Sequence, residues 1–343
     1  MRNCTFLCAA ALALGLAGHA STVSAQTFEN VGVRAQGMGG AFVAVADDAT
    51  ASWWNPAGLA SGAYLSALLE RSRVTEPSSP VAGGPAIRAT SGDFAIAFPA
   101  LGLSYYRFRI SEIAPFGSTA SWAANRQDPR TSGSSVRSVS VNQFGTTIGQ
   151  SIGDHLVIGS TIKLLVAGAT VLTPPLSAAA PSLDDVDGLS VSRHYRSDLD
   201  VGAMAQLGHV RVGFTAKNLT RPTLGSGADA LTLERQARVG LAVFTRRVGG
   251  LQGWKLAADA DLTTQATVTG NVRHVAGGAE AWLLNGRLGV RGGLSGNTVD
   301  DLRPAVSGGV SVAVTRAIHV NATRTQGRDE SVQGWSTGVS VTF

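Results

Sequence analysis

Gly37-Met38-Gly39-Gly40 has the composition of a ligand loop, because closely spaced glycines can turn backbone N–H groups toward a phosphate. A phosphate fingerprint of that kind follows a strand and opens a βαβ unit. Neither pattern flanks these residues, so nucleotide binding has little support. The histidines beyond residue 25 are His155, His194, His209, His274 and His319, and no two of them have a metal-ligand spacing. His194 precedes Asp198 by four residues, yet Arg193 and Arg196 compete for that acid, and His319 has no acid nearby. A Ser–His lipid hydrolase therefore has a weak basis. No catalytic residue, metal or cofactor is assigned, and the expectation is a protein that is not an enzyme. The remaining charged pair of interest, Asp47-Asp48, has meaning only once the surrounding elements are known.

Those elements belong to an exported chain. Arg2, the apolar run from Phe6 to Leu16, and the small residues up to Ala25 read as a secretory signal over residues 1–25. Cys4 and Cys8 would leave with it, removing disulfides and Cys–zinc sites from consideration. Only 15% of the 343 residues are charged, while 44% are apolar and 42 are glycine, which excludes a disordered polyelectrolyte and a coiled coil. The net charge of +5 is spread singly, with no basic run to track phosphates, so no nucleic-acid partner is expected. Past Ala25 no apolar stretch is long enough for a transmembrane helix.

From Gly62 onward the apolar residues alternate with period two. Val210, Val212, Phe214 and Ala216 point one way, and Arg211, Gly213, Thr215 and Lys217 the other. Trp254, Leu256, Ala258 and Ala260 oppose Lys255, Asp259 and Asp261; Leu288, Val290 and Leu294 oppose Arg287, Gly289 and Arg291. The strands fall at 62–73, 92–98, 101–113, 136–151, 155–170, 194–208, 209–219, 232–246, 253–267, 271–284, 286–295, 302–315, 317–325 and 331–343. Fourteen is an even number, as single-chain bacterial barrels require. Connections after even strands are short and most after odd strands are long, the asymmetry of periplasmic turns and extracellular loops. The expected fold is an all-β, 14-stranded antiparallel transmembrane barrel over 62–343, its outer wall in contact with outer-membrane lipid. Val139 and Val141 fall out of phase with Phe144 and Ile148, which suggests a bulge. Trp254 and Phe343 belong in the periplasmic aromatic girdle, while the phase of Trp282 is ambiguous.

Residues 26–61 differ in texture, and 34–60 lack strand alternation. A hatch, or plug, inside the lumen accounts for them. Gly37, Gly39 and Gly40 would permit positive φ and close backbone approach, and Trp54-Asn55-Pro56 would make a rigid turn toward the first strand. The lumen would offer Arg211, Lys217, Arg238, Arg287 and Arg291 as partners to Asp47 and Asp48, and Lys255 and Asp259 are further lumen-facing charges. Equally, those two acids are solvated or cap a short helix.

The stretch from Gly37 through Asp47-Asp48, with Trp54-Asn55-Pro56-Ala57-Gly58-Leu59, resembles the N-terminal region of FadL-like outer-membrane proteins, most like the PorV/PorQ branch. Such a resemblance implies a hatch-bearing barrel in the outer membrane of a Gram-negative-type bacterium. It implies passive movement of hydrophobic small molecules such as long-chain fatty acids or, on the PorV-like alternative, a barrel that carries secreted protein clients for a type IX-type system. The terminal Phe343 resembles the signature read by the barrel assembly machinery. The loop 171–193, with Val171, Leu172, Leu176 and Leu183, either contacts a hydrophobic ligand or partner or folds over the barrel mouth.

Overall fold

The computed structural model describes residues 31–76, 85–115, 134–173, 181–226, 229–245, 253–328 and 332–343. The expected signal segment, Leu176 and the turn at 248–250 lie outside these residues.

Fourteen strands close a single antiparallel barrel: β1 (Ser66–Glu76), β2 (Ala86–Phe98), β3 (Leu101–Pro115), β4 (Ser134–Ile152), β5 (Leu156–Leu172), β6 (His194–Leu207), β7 (Val210–Lys217), β10 (Gln236–Phe244), β11 (Trp254–Asp261), β14 (His274–Leu283), β15 (Leu288–Asn297), β16 (Ala305–Ala313), β17 (Ile318–Gly327) and β18 (Gln333–Thr342). Two short hairpins, β8 (Thr223–Leu224) with β9 (Leu231–Thr232) and β12 (Gln265–Thr267) with β13 (Gly270–Val272), decorate the long-loop rim. The last strand closes on the first in register from Ser66↔Thr342 to Thr75↔Gln333, which leaves no open edge. Among the described residues no helix is long and apolar enough to cross a membrane.

The period of two explains this architecture. Leu69, Phe94, Leu103, Phe144, Ile162, Phe214, Leu256, Leu294, Val310 and Val339 all point outward and stay exposed. A continuous apolar band around a closed wall matches lipid rather than water. The alternate residues turn inward, and there Lys163, Arg238, Asp259 and Glu280 are buried. Trp254 faces outward near the short-turn rim, whereas Trp282 faces inward and meets the His319 ring edge-on at 5.4 Å.

Two expectations need correction. The strand β4 carries no bulge, because its pairing runs unbroken with β3 from Pro115↔Ser134 to Leu101↔Ile148 and with β5 from Val136↔Leu172 to Ile152↔Leu156. Val139 and Val141 point inward after all, into an apolar patch with Phe108, Ile110 and Leu165. Arg287 is not part of the lumen wall: it sits exposed in the turn before β15, at the short-turn mouth.

The segment Val31–Ser61 fills the lumen. It folds as α1 (Val33–Gly37), α2 (Ala51–Trp54) and a 3₁₀ turn, Pro56–Ser61, that leads toward β1. Asn55 caps that turn by accepting the Ala57 N–H at 3.2 Å, and Pro56 stands at its first position, where no N–H is needed. Trp53 and Trp54 are buried. Trp54 donates through Nε1 to Val31 O at 3.0 Å, and Trp53 lies 5.3 Å from Tyr106 and 5.0 Å from Phe108, ring to ring.

Candidate functional site: the hatch and the two cavities it separates

The hatch is held by backbone contact and by charge. Wall glycines take the backbone contact. A Cβ added at Gly213 would lie 2.6 Å from Val43 O, and one at Gly293 would lie 2.7 Å from Met38 O. At Gly159 and Gly278 an added Cβ would also run into hatch backbone, at Pro56 and Met38. Only residues without side chains let the hatch main chain lie on the sheet. From the hatch side, Gly39 (φ +69°) presses on the backbone of Leu294, and Gly40 (φ +88°) turns the chain away. Gly37 departs from expectation: it is helical, and it matters because a Cβ there would lie 3.1 Å from Thr323 Oγ1 and 3.2 Å from Arg291 Cδ.

Carboxylates of the wall grip hatch amides. Asp259 Oδ2 accepts from Phe42 N and Val43 N, both at 2.8 Å, and Glu70 accepts from Val33 N at 2.8 Å. Asn55 Nδ2 returns the favour, donating to Val43 O within the hatch and to Ala203 O of the wall.

At the centre lies a cluster of three cations and three anions. Arg34 binds Asp47 at 2.9 Å, Asp48 at 2.6 Å and Glu280 at 2.7 Å. Lys255 reaches Asp47 at 2.5 Å, and Arg291 reaches Glu280 at 2.9 Å. Burial opposes the Asp47 charge, but Lys255 and Arg34 outweigh it and hold its carboxyl down at about 2. Burial likewise opposes the Arg34 charge, and Glu280, Asp47 and Asp48 together raise it above the ordinary guanidinium range.

The salt bridges of Asp47 and Asp48 run to Arg34 and Lys255, neither of them among the five cations expected as partners. Of the lumen charges, Lys255 is the one that pairs with Asp47. Arg211 donates to Gln206 Oε1 at 2.8 Å and lies over Phe244. Lys217 sits 2.9 Å above the Trp53 ring, and Arg238 pairs with Asp261 at 2.6 Å while facing Trp54. Arg34, the principal partner, was overlooked although it stands three residues before the stretch that carries the resemblance. Asp48 has two tasks, because it also accepts from Thr50 N at 2.9 Å just before α2. A second buried cluster, Lys163 with Asp198 at 2.7 Å and Asp200 at 2.6 Å, fixes the β8–β9 connection through Asn218 and Thr220. Leu224, Leu231 and Leu233 of that connection are fully buried in the apolar patch.

Two cavities flank the hatch. On the short-turn side a vestibule of about 1700 Å³ exposes Arg34, Asp47, Asp48 and Lys255 to the barrel mouth, with Trp282, Arg287 and His319 on its wall. On the long-loop side a cavity of about 140 Å³ rests on Gln36, Gly39 and Gly40. Val74, Ile87, Ala89, Val272, Ala305 and Val332 give it a largely apolar lining. The loop 171–193 contributes differently from a ligand groove: Val171 packs with Val268 and Ile87 behind this cavity, and Leu183 in α3 (Leu183–Asp187) is buried against Ile113 and Val136. Leu172 is exposed.

Solved structures share this fold. The Ralstonia pickettii toluene transporter TbuX matches at TM-score 0.58 and 14% identity, over 92% of this chain and 99% of that one. A Pseudomonas aeruginosa FadL homologue matches at TM-score 0.57 and 10% identity, over 94% and 99%. The Pseudomonas putida toluene transporter TodX matches at TM-score 0.58 and 13% identity, over 93% and 98%. The chain thus has the FadL-like barrel fold. No match was found among curated protein sequences. The profile of the family described as "F plasmid transfer operon, TraF, protein" matches residues 81–261, more than half of the chain, and the protein belongs to that family.

Proposed function

We propose that the protein is an outer-membrane conduit through which compact hydrophobic molecules move passively from the long-loop side to the hatch. The observation that carries this reading is the apolar cavity of about 140 Å³ whose floor is hatch backbone at Gly39 and Gly40. A dry cavity of about 150 Å³ binds benzene, so this one suits a single ring better than a long acyl chain. The likeness to hydrocarbon transporters supports the same reading through fold alone. Because the hatch packs directly on the wall, a molecule in the cavity continues only when the hatch shifts or a strand gap opens. The outward apolar band supports a barrel seated in the outer membrane.

The test is accumulation of radiolabelled toluene and of a radiolabelled long-chain fatty acid by cells with and without the protein. Faster toluene accumulation with the protein present supports the conduit. Unchanged accumulation of both overturns it. Secreted proteins co-purifying in its place would favour the PorV-like, client-carrying reading.

A further inference from the structure

Within the conduit reading, we infer that the cavity above the hatch selects neutral, compact molecules that carry one hydrogen-bond-accepting oxygen, and that Gln36 reads that oxygen. Gln36 stands on α1, lines the cavity and is 5% exposed, and its Nε2 has no hydrogen-bond partner among the described residues. A buried amide donor left unpaired is costly, and native structures rarely keep one without a reason. Three other polar side chains around the cavity, those of Thr267, Asn297 and Arg303, are engaged. Thr267 Oγ1 donates to Gly270 O at 2.7 Å, Asn297 Nδ2 donates to Asn271 O at 2.8 Å, and Arg303 Nη1 donates to Thr269 Oγ1 at 2.7 Å. The last torsion of a glutamine side chain is broad and soft, so the Gln36 amide turns toward an occupant without disturbing α1.

Charge narrows the ligand class. Glu76 and Arg303 both line the cavity and lie 4.0 Å apart, each answering the other. A carboxylate would have to break that pair, whereas a ketone, ether or alcohol would not. Volume sets the size, because about 140 Å³ holds one ring and a short substituent. Since the reading group belongs to the hatch, occupancy is felt directly by the element that closes the lumen.

The experiment is calorimetric titration of the detergent-purified full chain with acetophenone, with α-methylstyrene (the same shape with =CH₂ in place of =O) and with benzoate. In Gln36→Leu, acetophenone affinity falls roughly two- to tenfold, the worth of one net hydrogen bond, while α-methylstyrene binds as before or better. Gln36→Met keeps the side-chain length and gives the same change in the ratio, so the outcome does not hang on one variant folding. Parallel changes for the two isosteres, or none, overturn the role of Gln36 and leave the conduit reading standing. Tighter binding of benzoate than of acetophenone overturns the neutral-ligand assignment. Absence of saturable binding by all three compounds overturns the conduit reading itself.

Discussion

Gly292 and Gly293 are neighbours in β15 whose surroundings differ sharply. A Cβ at Gly292 meets nothing within 4 Å. A Cβ at Gly293 would stand 2.7 Å from Met38 O and closer still to Gly39 N, both in hatch backbone. Ordinary van der Waals separation then requires the hatch to retreat by about 1 Å, and overpacking of that kind costs about 1–3 kcal/mol. Backbone cannot rotate away as a side chain can, so the cost falls directly on hatch seating. Gly293→Ala should leave the barrel closed, because the new methyl does not touch the strand pairing. It should raise the unseated population about 5- to 150-fold, and trypsin cleavage after Arg34 should accelerate by that factor where cleavage follows the open population. Gly292→Ala should cleave like the wild type. Equal cleavage of the two variants, or a Gly293→Ala protein as resistant as the wild type, would refute the reasoning.

Arg34→Met leaves Asp47, Asp48 and Glu280 with fewer cations, and breaking a buried ion network costs about 3–5 kcal/mol; the N-terminal segment of this variant should be cleaved at low protease concentrations that leave the wild type whole. Asp47 is held at about 2, below its ordinary value of 3.8, so its contribution is complete above about pH 4 and is lost as pH falls through about 2. That contribution is at most about 2.5 kcal/mol, reduced by solvent because a quarter of the side chain is exposed. The melting difference between wild type and Asp47→Asn should stay constant from pH 8 to 5 and shrink only in stronger acid; a difference that vanishes near pH 6 would contradict the assignment. Lys163→Met strands two buried carboxylates, Asp198 and Asp200, and should release the β8–β9 connection, read as new trypsin cuts after Arg221 or Arg235.

The barrel was legible because period two is a property of single strands: the phase of 210–217 or 254–262 needs no knowledge of neighbours. Pairing and closure follow from the order of segments and the parity of their connections. The first strand begins at Ser66, a few residues after alternation suggested, because Pro56–Ser61 spends its hydrogen bonds on a 3₁₀ turn. Phase arguments failed at β4, where apolar residues inside a lumen look like a slip when every inward residue is assumed polar. The same assumption concealed Leu224, Leu231 and Leu233, which lie in a loop by pattern and in a core by packing.

The Arg34 cluster was harder to see. Its partners stand 13, 14 and 246 residues away, and no local periodicity relates a hatch to a wall it meets only after closure. A signal existed nonetheless: Glu280 is an acid on the inward phase of 271–284, and Gly213, Gly278 and Gly293 share the phase of polar residues. A glycine on that phase marks where another backbone must lie. Hatch glycines were read as allowing close backbone approach, and the structure adds the wall glycines and the charge cluster that seat the hatch.

The most direct test of the proposed role is an anomalous-diffraction experiment on crystals of the protein soaked in iodobenzene. One strong iodine site is expected over Gly39 and Gly40, between Ile87 and Val272. Iodine found only along the outer apolar band, with that cavity empty, would contradict it.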